Sequence, residues 1–273
     1  MRKLINGLRE FKSNYFSTHL ELFEQLAHGQ KPRVLFITCS DSRIDPNLIT
    51  QTEVGELFVI RNAGNIIPPF GAANGGEGAA VEYAIHALGI EQIVVCGHSH
   101  CGAMKGLLQL NKLQEDMPLV YDWLKHAEAT RRLVKENYSH YQGEELLEVT
   151  IAENVLTQID NLKTYPVIHS KLYQGKLKIY GWIYHLESGE VLAYDPESHA
   201  YVAPQSQVRE DESEDGLTPG QFTTTTAPLV ACEMPHHHHE QYSAEHKGNG
   251  RLQGQPVPWL TPEQAERIYR GSR

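Results

Sequence analysis

Apolar residues recur along this chain at spacings that change with position, and the changes mark out its elements. Over 1–29, Leu4, Leu8, Phe11 and Tyr15 fall three or four residues apart, and Leu20, Leu22, Phe23 and Leu26 follow. That spacing predicts helix, closed by Gly29 and Pro32. Short unbroken apolar runs come next, at 34–38, 57–60 and 92–96. Runs this short, bounded by turn residues, predict buried strands. A helix is predicted over 78–88, stopped by Gly89. Longer helices are predicted over 118–138 and 144–162, the second ending before Pro166. Segments 178–184 and 190–194 flank Glu187-Ser188-Gly189 and predict a strand pair. Strands separated by helices indicate an α/β fold with a mainly parallel sheet flanked by helices.

The pattern dissolves from Pro196 onward. Residues 209–215 are almost all charged, 223–226 are threonine and 236–239 are histidine, with Pro and Gly scattered between. Such a composition cannot bury enough apolar area to offset the entropy of ordering, so a largely disordered C-terminal extension is expected over 196–273. Its last stretch differs. Thr261 is placed as an N-cap, Pro262 suits the first helical position and Gly271 follows the end. Ala265, Ile268 and Tyr269 would share one face of that helix, with Trp259 and Leu260 just before it. This is the pattern of a helix laid in a partner's groove, so 258–273 is expected to bind a partner. The domain expectation is therefore 1–195 for the catalytic unit and 196–273 for the extension.

Composition narrows the function classes. The 273 residues carry a net charge of -10 and no basic stripe, which argues against a nucleic-acid surface. No apolar run approaches the ~20 residues that span a membrane. Met1-Arg2-Lys3-Leu4 leads into no apolar core, so no secretory signal is expected and the location is expected to be cytoplasmic. The four cysteines are too few for a disulfide framework and suit a reducing compartment.

Two of those cysteines carry the candidate chemistry. Cys39-Ser40-Asp41-Ser42-Arg43 follows the first predicted strand, and Gly97-His98-Ser99-His100-Cys101-Gly102 follows the third. Two thiols and an imidazole, Cys39, Cys101 and His98, fit a zinc site with one position left for water, as catalytic zinc sites have. His100 is adjacent to Cys101 and is expected to point elsewhere. Strand ends where the order of an open α/β sheet reverses are where sites form, so these distant segments can meet. Two thiolates and a neutral imidazole leave the zinc complex uncharged before its fourth ligand binds, and the metal remains a Lewis acid. Asp41 is close enough in sequence to bind the metal or to accept a hydrogen bond from its water. Arg43 can grip that carboxylate bidentately. Cys96, inside an apolar strand, reads as core. The glycine-rich stretch 71–78 lacks the Gly-Lys-Ser/Thr of a phosphate loop and reads as a turn into a helix.

Cys-Ser-Asp-Ser-Arg at 39–43, Arg-Asn-Ala-Gly-Asn at 61–65 and Gly-His-Ser-His-Cys-Gly at 97–102 together resemble the signatures of β-class carbonic anhydrases, across roughly residues 1–195. The resemblance implies reversible hydration of CO2 to bicarbonate, with one zinc per subunit on Cys39, His98 and Cys101. It also implies an Asp41–Arg43 dyad that gates the fourth position. An obligate homodimer or higher even-numbered oligomer is implied, in which the N-terminal helices embrace the partner. In the plant-like subclass, Gln30 of a neighbouring subunit would orient a substrate oxygen, and Phe58, Ala63 and Tyr83 would line the pocket. The bicarbonate-inhibited subclass has Trp where this chain has Phe36, although Arg61 and Tyr184 resemble other members of its inhibitory pocket. The full-length pattern, with its C-terminal segment, is similar to carboxysomal β-carbonic anhydrases of cyanobacteria. That implies residence in a carboxysome, a scaffold partner and supply of CO2 to Rubisco.

Two rival readings remain beside this one. A hydrolase of a CO2-like sulfur compound could share the fold. A catalytically silent, zinc-stabilised scaffold could share the ligands, although the intact Asp41, Arg43 and Gln30 weigh against it.

Overall fold

The computed structural model describes residues 1–204 except Asn74; the predicted partner-binding segment 258–273 and most of the extension lie outside the described residues. Four parallel strands form the body of the sheet: β1 (Val34–Cys39), β2 (Leu57–Asn62), β3 (Gln92–His98) and β4 (Lys178–Tyr184). β5 (Val191–Asp195) adds antiparallel to β4 and β6 (Ala200–Val202) antiparallel to β5, giving the order β2-β1-β3-β4-β5-β6. The mainly parallel sheet predicted from the apolar runs is therefore present. Its order also locates the switch point: from β1 the chain moves outward to β2, then returns to lay β3 on the other side of β1.

Why β1 is central follows from its sequence. Leu35, Ile37 and Cys39 face one layer of core, and Phe36 faces the other. A strand buried on both faces reads as an unbroken apolar run. The first layer holds most of the helices, above all α8 (Gly143–Lys163), which buries Leu147, Ile151, Ala152, Val155 and Leu162. α8 approaches the sheet closely because glycines lie beneath it. A Cβ on Gly97 would fall 2.9 Å from Val155 Cγ2, and one on Gly181 would fall 3.0 Å from Ile159 Cδ1.

On the opposite face, Phe36, Val94 and Cys96 are ringed by Leu57, Tyr180, Trp182 and Tyr184. Nothing comparable to α8 covers them among the described residues. The N-terminal helices α1 (Arg2–Glu10) and α2 (Leu20–Ala27), with a π-helical turn at Phe11–Phe16 between them, bury no residue at all. Leu4, Leu8 and Phe11 stand exposed.

Several elements depart from the sequence expectation. The helix predicted over 118–138 is α6 (Pro118–Leu124) and α7 (Glu128–Asn137) joined by a 3₁₀ turn at Lys125–Ala127. Three short helices were not predicted: α3 (Pro46–Thr50), α5 (Gly102–Leu108) and α9 (Pro166–Tyr173). α3 and α9 both start on a proline, which fits the first turn of a helix as well as it ends one. Asp45 caps α3 by accepting from Leu48 N–H at 3.2 Å. The predicted helix over 78–88 is α4 (Gly76–Glu82) continued by a π-helical turn, Tyr83–Ala87. Beyond Pro196 the fold does not stop at 195. β6 continues the sheet, and Tyr201 donates its hydroxyl to Ala152 O on α8 at 3.0 Å. Three residues are too few to show a strand period.

Candidate metal centre

β1 ends on Cys39, β3 ends on His98, and the loop after β3 turns back so that Cys101 caps α5. The two strand ends flank the switch point of the sheet, the place where open α/β sheets form their sites. One ligand atom from each of Cys39, His98 and Cys101 lies within 4.8 Å of the other two, and all three residues are buried. This is the set the sequence singled out. His100, at φ 53°, turns its side chain out of the cluster as expected, to Glu144 Oε2 at 3.2 Å and to Glu187.

The donor set fits a metal ion. His98 Nδ1–H donates to Ser99 O at 2.9 Å, which leaves the Nε2 lone pair facing the cluster. That Nε2 is fully buried and has no hydrogen-bond partner. An orphaned buried nitrogen is costly unless a ligand takes it up, and ligating histidines fix their second nitrogen in this way. The thiols point to the same conclusion. Cys101 S–H donates to the Cys39 sulfur, which pulls Cys39 toward thiolate against the opposing effect of burial; Gly64 N–H adds to the pull. The same partnership and burial push Cys101 up. A dication in the cluster would remove both protons.

Asp41 lies beside this cluster, with Oδ2 3.9 Å from His98 Nε2. Arg43 grips it: backbone N–H and Nε donate to Oδ1 at 3.0 and 2.9 Å, and Nη2 to Oδ2 at 2.7 Å. The guanidinium holds the Asp41 carboxyl well below the usual carboxylate range, against the opposing effect of burial. Arg43 Nη2 also reaches His100 O at 3.4 Å and so ties the loop after β1 to the loop after β3. Arg61 pins the same loop from β2, donating to Cys39 O at 3.1 Å and Asp41 O at 2.8 Å. That role for Arg61 was not read from the sequence.

The remaining expected site residues divide. Ala63 is next to the cluster: Gly64 N–H points at Cys39 Sγ, 3.4 Å away, and Ala63 O accepts from Trp123 Nε1 at 2.8 Å. Phe58 and Tyr83 pack together with ring centroids 6.1 Å apart, but Phe58 pairs with Leu35 near the other end of β1. Gln30 is exposed and precedes β1 altogether. At about 3.3 Å per residue, the strand between Gln30 and Cys39 puts them on opposite ends of the sheet. A single chain therefore does not bring Gln30, Phe58 and Tyr83 to the metal cluster.

The model of the carbonic anhydrase family matches residues 34–191, from the first strand to the fifth. The chain belongs to the β-carbonic anhydrases. A carbonic anhydrase of Synechocystis is 61% identical over all of this chain and all of its own length. One of Synechococcus elongatus is 60% identical over 100% of this chain and 99% of its own. A solved structure of the β-carbonic anhydrase CcaA is 72% identical, with a TM-score of 0.74 over 75% of this chain and 99% of that one. A tetrameric β-carbonic anhydrase of Sordaria macrospora is 26% identical, with a TM-score of 0.64 over 70% of this chain and 95% of that one. As a member of this family the chain is a carbonic anhydrase, and its Cys39–His98–Cys101 cluster is a group that could hold a metal ion. No helix among the described residues is long and apolar enough to cross a membrane.

Proposed function

We propose that this carbonic anhydrase is a zinc enzyme interconverting CO2 and bicarbonate as a homodimer, and that it supplies CO2 to Rubisco inside a carboxysome. The observation that carries the catalytic part is the buried Cys39–His98–Cys101 cluster beside a carboxylate held ionised by Arg43. Cys39, His98 and Cys101 would hold the zinc. When bound there, zinc would supply Lewis acidity and bring the pKa of a water toward about 7.

The protein's own groups do the rest. Arg43 gives two hydrogen bonds to Asp41 Oδ1 and one to Oδ2, which leaves Oδ2 a lone pair with which to accept. Asp41 can therefore take a hydrogen bond from the attacking water and fix its orientation toward CO2. Ionisation makes Asp41 an acceptor at all working pH values.

The homodimer reading rests on the geometry of what one chain leaves apart. β2 is an edge strand. A two-fold pairing across that edge runs one chain against the other. It would lay the Gln30, Phe58 and Tyr83 end of one subunit over the Cys39 end of its partner. Gln30 would then donate its amide N–H to a substrate oxygen in trans. The exposed apolar face of α1, with Leu4 and Leu8, is a surface such a pairing can bury.

Support for the carboxysome comes from the extension. The Synechocystis and Synechococcus relatives match along the whole of this chain, so 196–273 is shared with them and not peculiar to it. A competing chemistry, hydrolysis of a CO2-like sulfur compound such as carbon disulfide, is separated by assaying both substrates on one zinc-replete preparation. Fast CO2 hydration with negligible sulfur release is expected; the reverse would overturn the reading.

A further inference from the structure

A buried row of side-chain amides runs along α8 and ends on the loop that touches the metal centre. Asn154, Gln158 and Asn161 occupy i, i+4 and i+7 of one helical face, and Asn154 and Gln158 are 1% and 0% exposed. Each amide is bonded to the loop after β2. Asn154 Nδ2 donates to Gly64 O at 2.9 Å. Gln158 Oε1 accepts from Ile67 N–H at 2.9 Å, and Asn161 Nδ2 donates to Ile67 O at 2.9 Å. The amides also bond one another: Gln158 Nε2 donates to Asn154 Oδ1 at 2.9 Å, and Asn161 Nδ2 to Gln158 Oε1 at 3.1 Å.

The direction of every bond in this row is fixed. Gly64 C=O can only accept and Ile67 N–H can only donate, so the amide orientations follow from the backbone at both ends. The loop is closed from inside as well. Asn62 Oδ1 accepts from Ile66 N–H and Asn62 Nδ2 donates to Ile66 O, both at 2.8 Å. Trp123 holds Ala63 O. Gly64 links this loop to a ligand sulfur. Its N–H points at Cys39 Sγ from a φ of +85°, and a Cβ there would fall 2.8 Å from Met104 Cε and 3.0 Å from Ala103 Cβ.

We propose that Asn154 and Gln158 are positioning residues for the metal centre, acting through Gly64. Asn154 fixes the peptide that follows Gly64, Gln158 fixes Asn154, and the Gly64 N–H is thereby aimed at the Cys39 sulfur. A hydrogen bond to a ligating thiolate stabilises its lone pair and weakens its donation, which leaves the metal the stronger Lewis acid. Two polar side chains inside an otherwise apolar helix face thus set the electronic character of a ligand they do not touch.

This inference rests on the metal reading of Cys39, His98 and Cys101, and the test separates the two. The probe is full-length protein loaded with Co²⁺, whose thiolate-to-metal charge-transfer band reports the energy of the sulfur lone pair directly. Wild type without such a band would defeat the metal reading itself. With the band present, Asn154→Leu should move it to lower energy while keeping a full complement of metal. Its zinc-loaded form should lose roughly tenfold to a hundredfold in kcat, the usual range for a lost outer partner of a metal ligand, with KM little changed. Gln158→Met, of similar length and without charge, removes the donor to Asn154 together with the acceptor for Ile67, so it should give a shift in the same direction. It decides the matter if Asn154→Leu does not fold. Thr150→Val is the control: Thr150 is equally buried on α8 but bonds only Leu146 O, at 2.6 Å. It should leave band and kcat unchanged. A native band in metal-replete Gln158→Met, or the same shift in Thr150→Val, would overturn the proposal.

Discussion

Arg43 grips Asp41 with three donors, and the gripped carboxylate stops 3.9 Å short of the His98 nitrogen that faces the metal cluster. Spacing alone allowed Asp41 to bind the metal or to serve it from outside. The grip of Arg43 on both carboxylate oxygens supports the second role.

Asp41→Asn should therefore keep its metal and lose turnover. The amide presents an N–H where an acceptor is needed and weakens the grip of Arg43. A fall of about 10²-fold or more in kcat/KM is expected, the range for a group that accepts a catalytic proton. Stopped-flow hydration on metal-replete protein reads it. Near-normal kcat/KM would reduce the dyad to a structural ion pair.

Cys39→Ala and Cys101→Ala should each lose the metal and all hydration, because each removes one of three ligands. Cys96→Ala should keep both. Cys96 is buried on the other face of the sheet with Phe36 and Val94, where burial pushes its thiol up to about 12. Metal content of the purified variants decides this; a full complement in Cys101→Ala contradicts the ligand set.

Gln30→Ala and Cys101→Ala should each be inactive alone and should complement when co-assembled. In a mixed dimer one site takes its ligands from the Gln30→Ala chain and its glutamine from the other. Recovery of activity after mixing and reassembly would show a site shared in trans. Two inactive chains that stay inactive as verified mixed dimers would place Gln30 outside the site.

Glu148 gives the pH prediction. Burial, with the charges of Glu144, Glu145 and Glu187 opposed by His100, raises it from 4.5 to about 7. A carboxyl whose folded pKa lies above its unfolded value favours folding most below the unfolded pKa. That advantage is lost as pH rises from about 4.5 through about 7. Above that window the ionised Glu148 is a burden the glutamine lacks. Glu148→Gln should therefore raise Tm relative to wild type near pH 8 and give no such gain near pH 4. Equal Tm differences at both pH values would contradict the assignment.

A chain ending at Pro256 should keep its metal, its dimer and its CO2 hydration. In cells it should lose enrichment in the microcompartment, and growth should then need added CO2. Normal localisation of the truncated enzyme would place the recruiting surface on the folded domain.

How much was legible beforehand follows from the range of each signal. β1 and β3 were readable because strands buried on both faces carry continuous apolar runs. The ligands were readable because Cys39, His98 and Cys101 sit within short motifs at the ends of those runs. α3 and α9 were not, since a proline marks either the end of one helix or the start of the next. β6 was not, because three residues show no period. The second layer of the site was hidden for a different reason. Asn154 and Gln158 lie some ninety residues from the loop they hold, and buried amides in an apolar helix were the only trace. The resemblance had already assigned Gln30 to a neighbouring subunit's site; the sheet adds that within one chain Gln30 precedes β1 while Cys39 ends it.

The most direct test of the central claim is CO2 hydration by the purified protein, with zinc determined on the same sample before and after chelation. About one zinc per chain, fast hydration, its loss on chelation and its return with added zinc are the results expected. A zinc-replete sample that does not hydrate CO2, or a stripped one that hydrates it at full rate, would contradict the account.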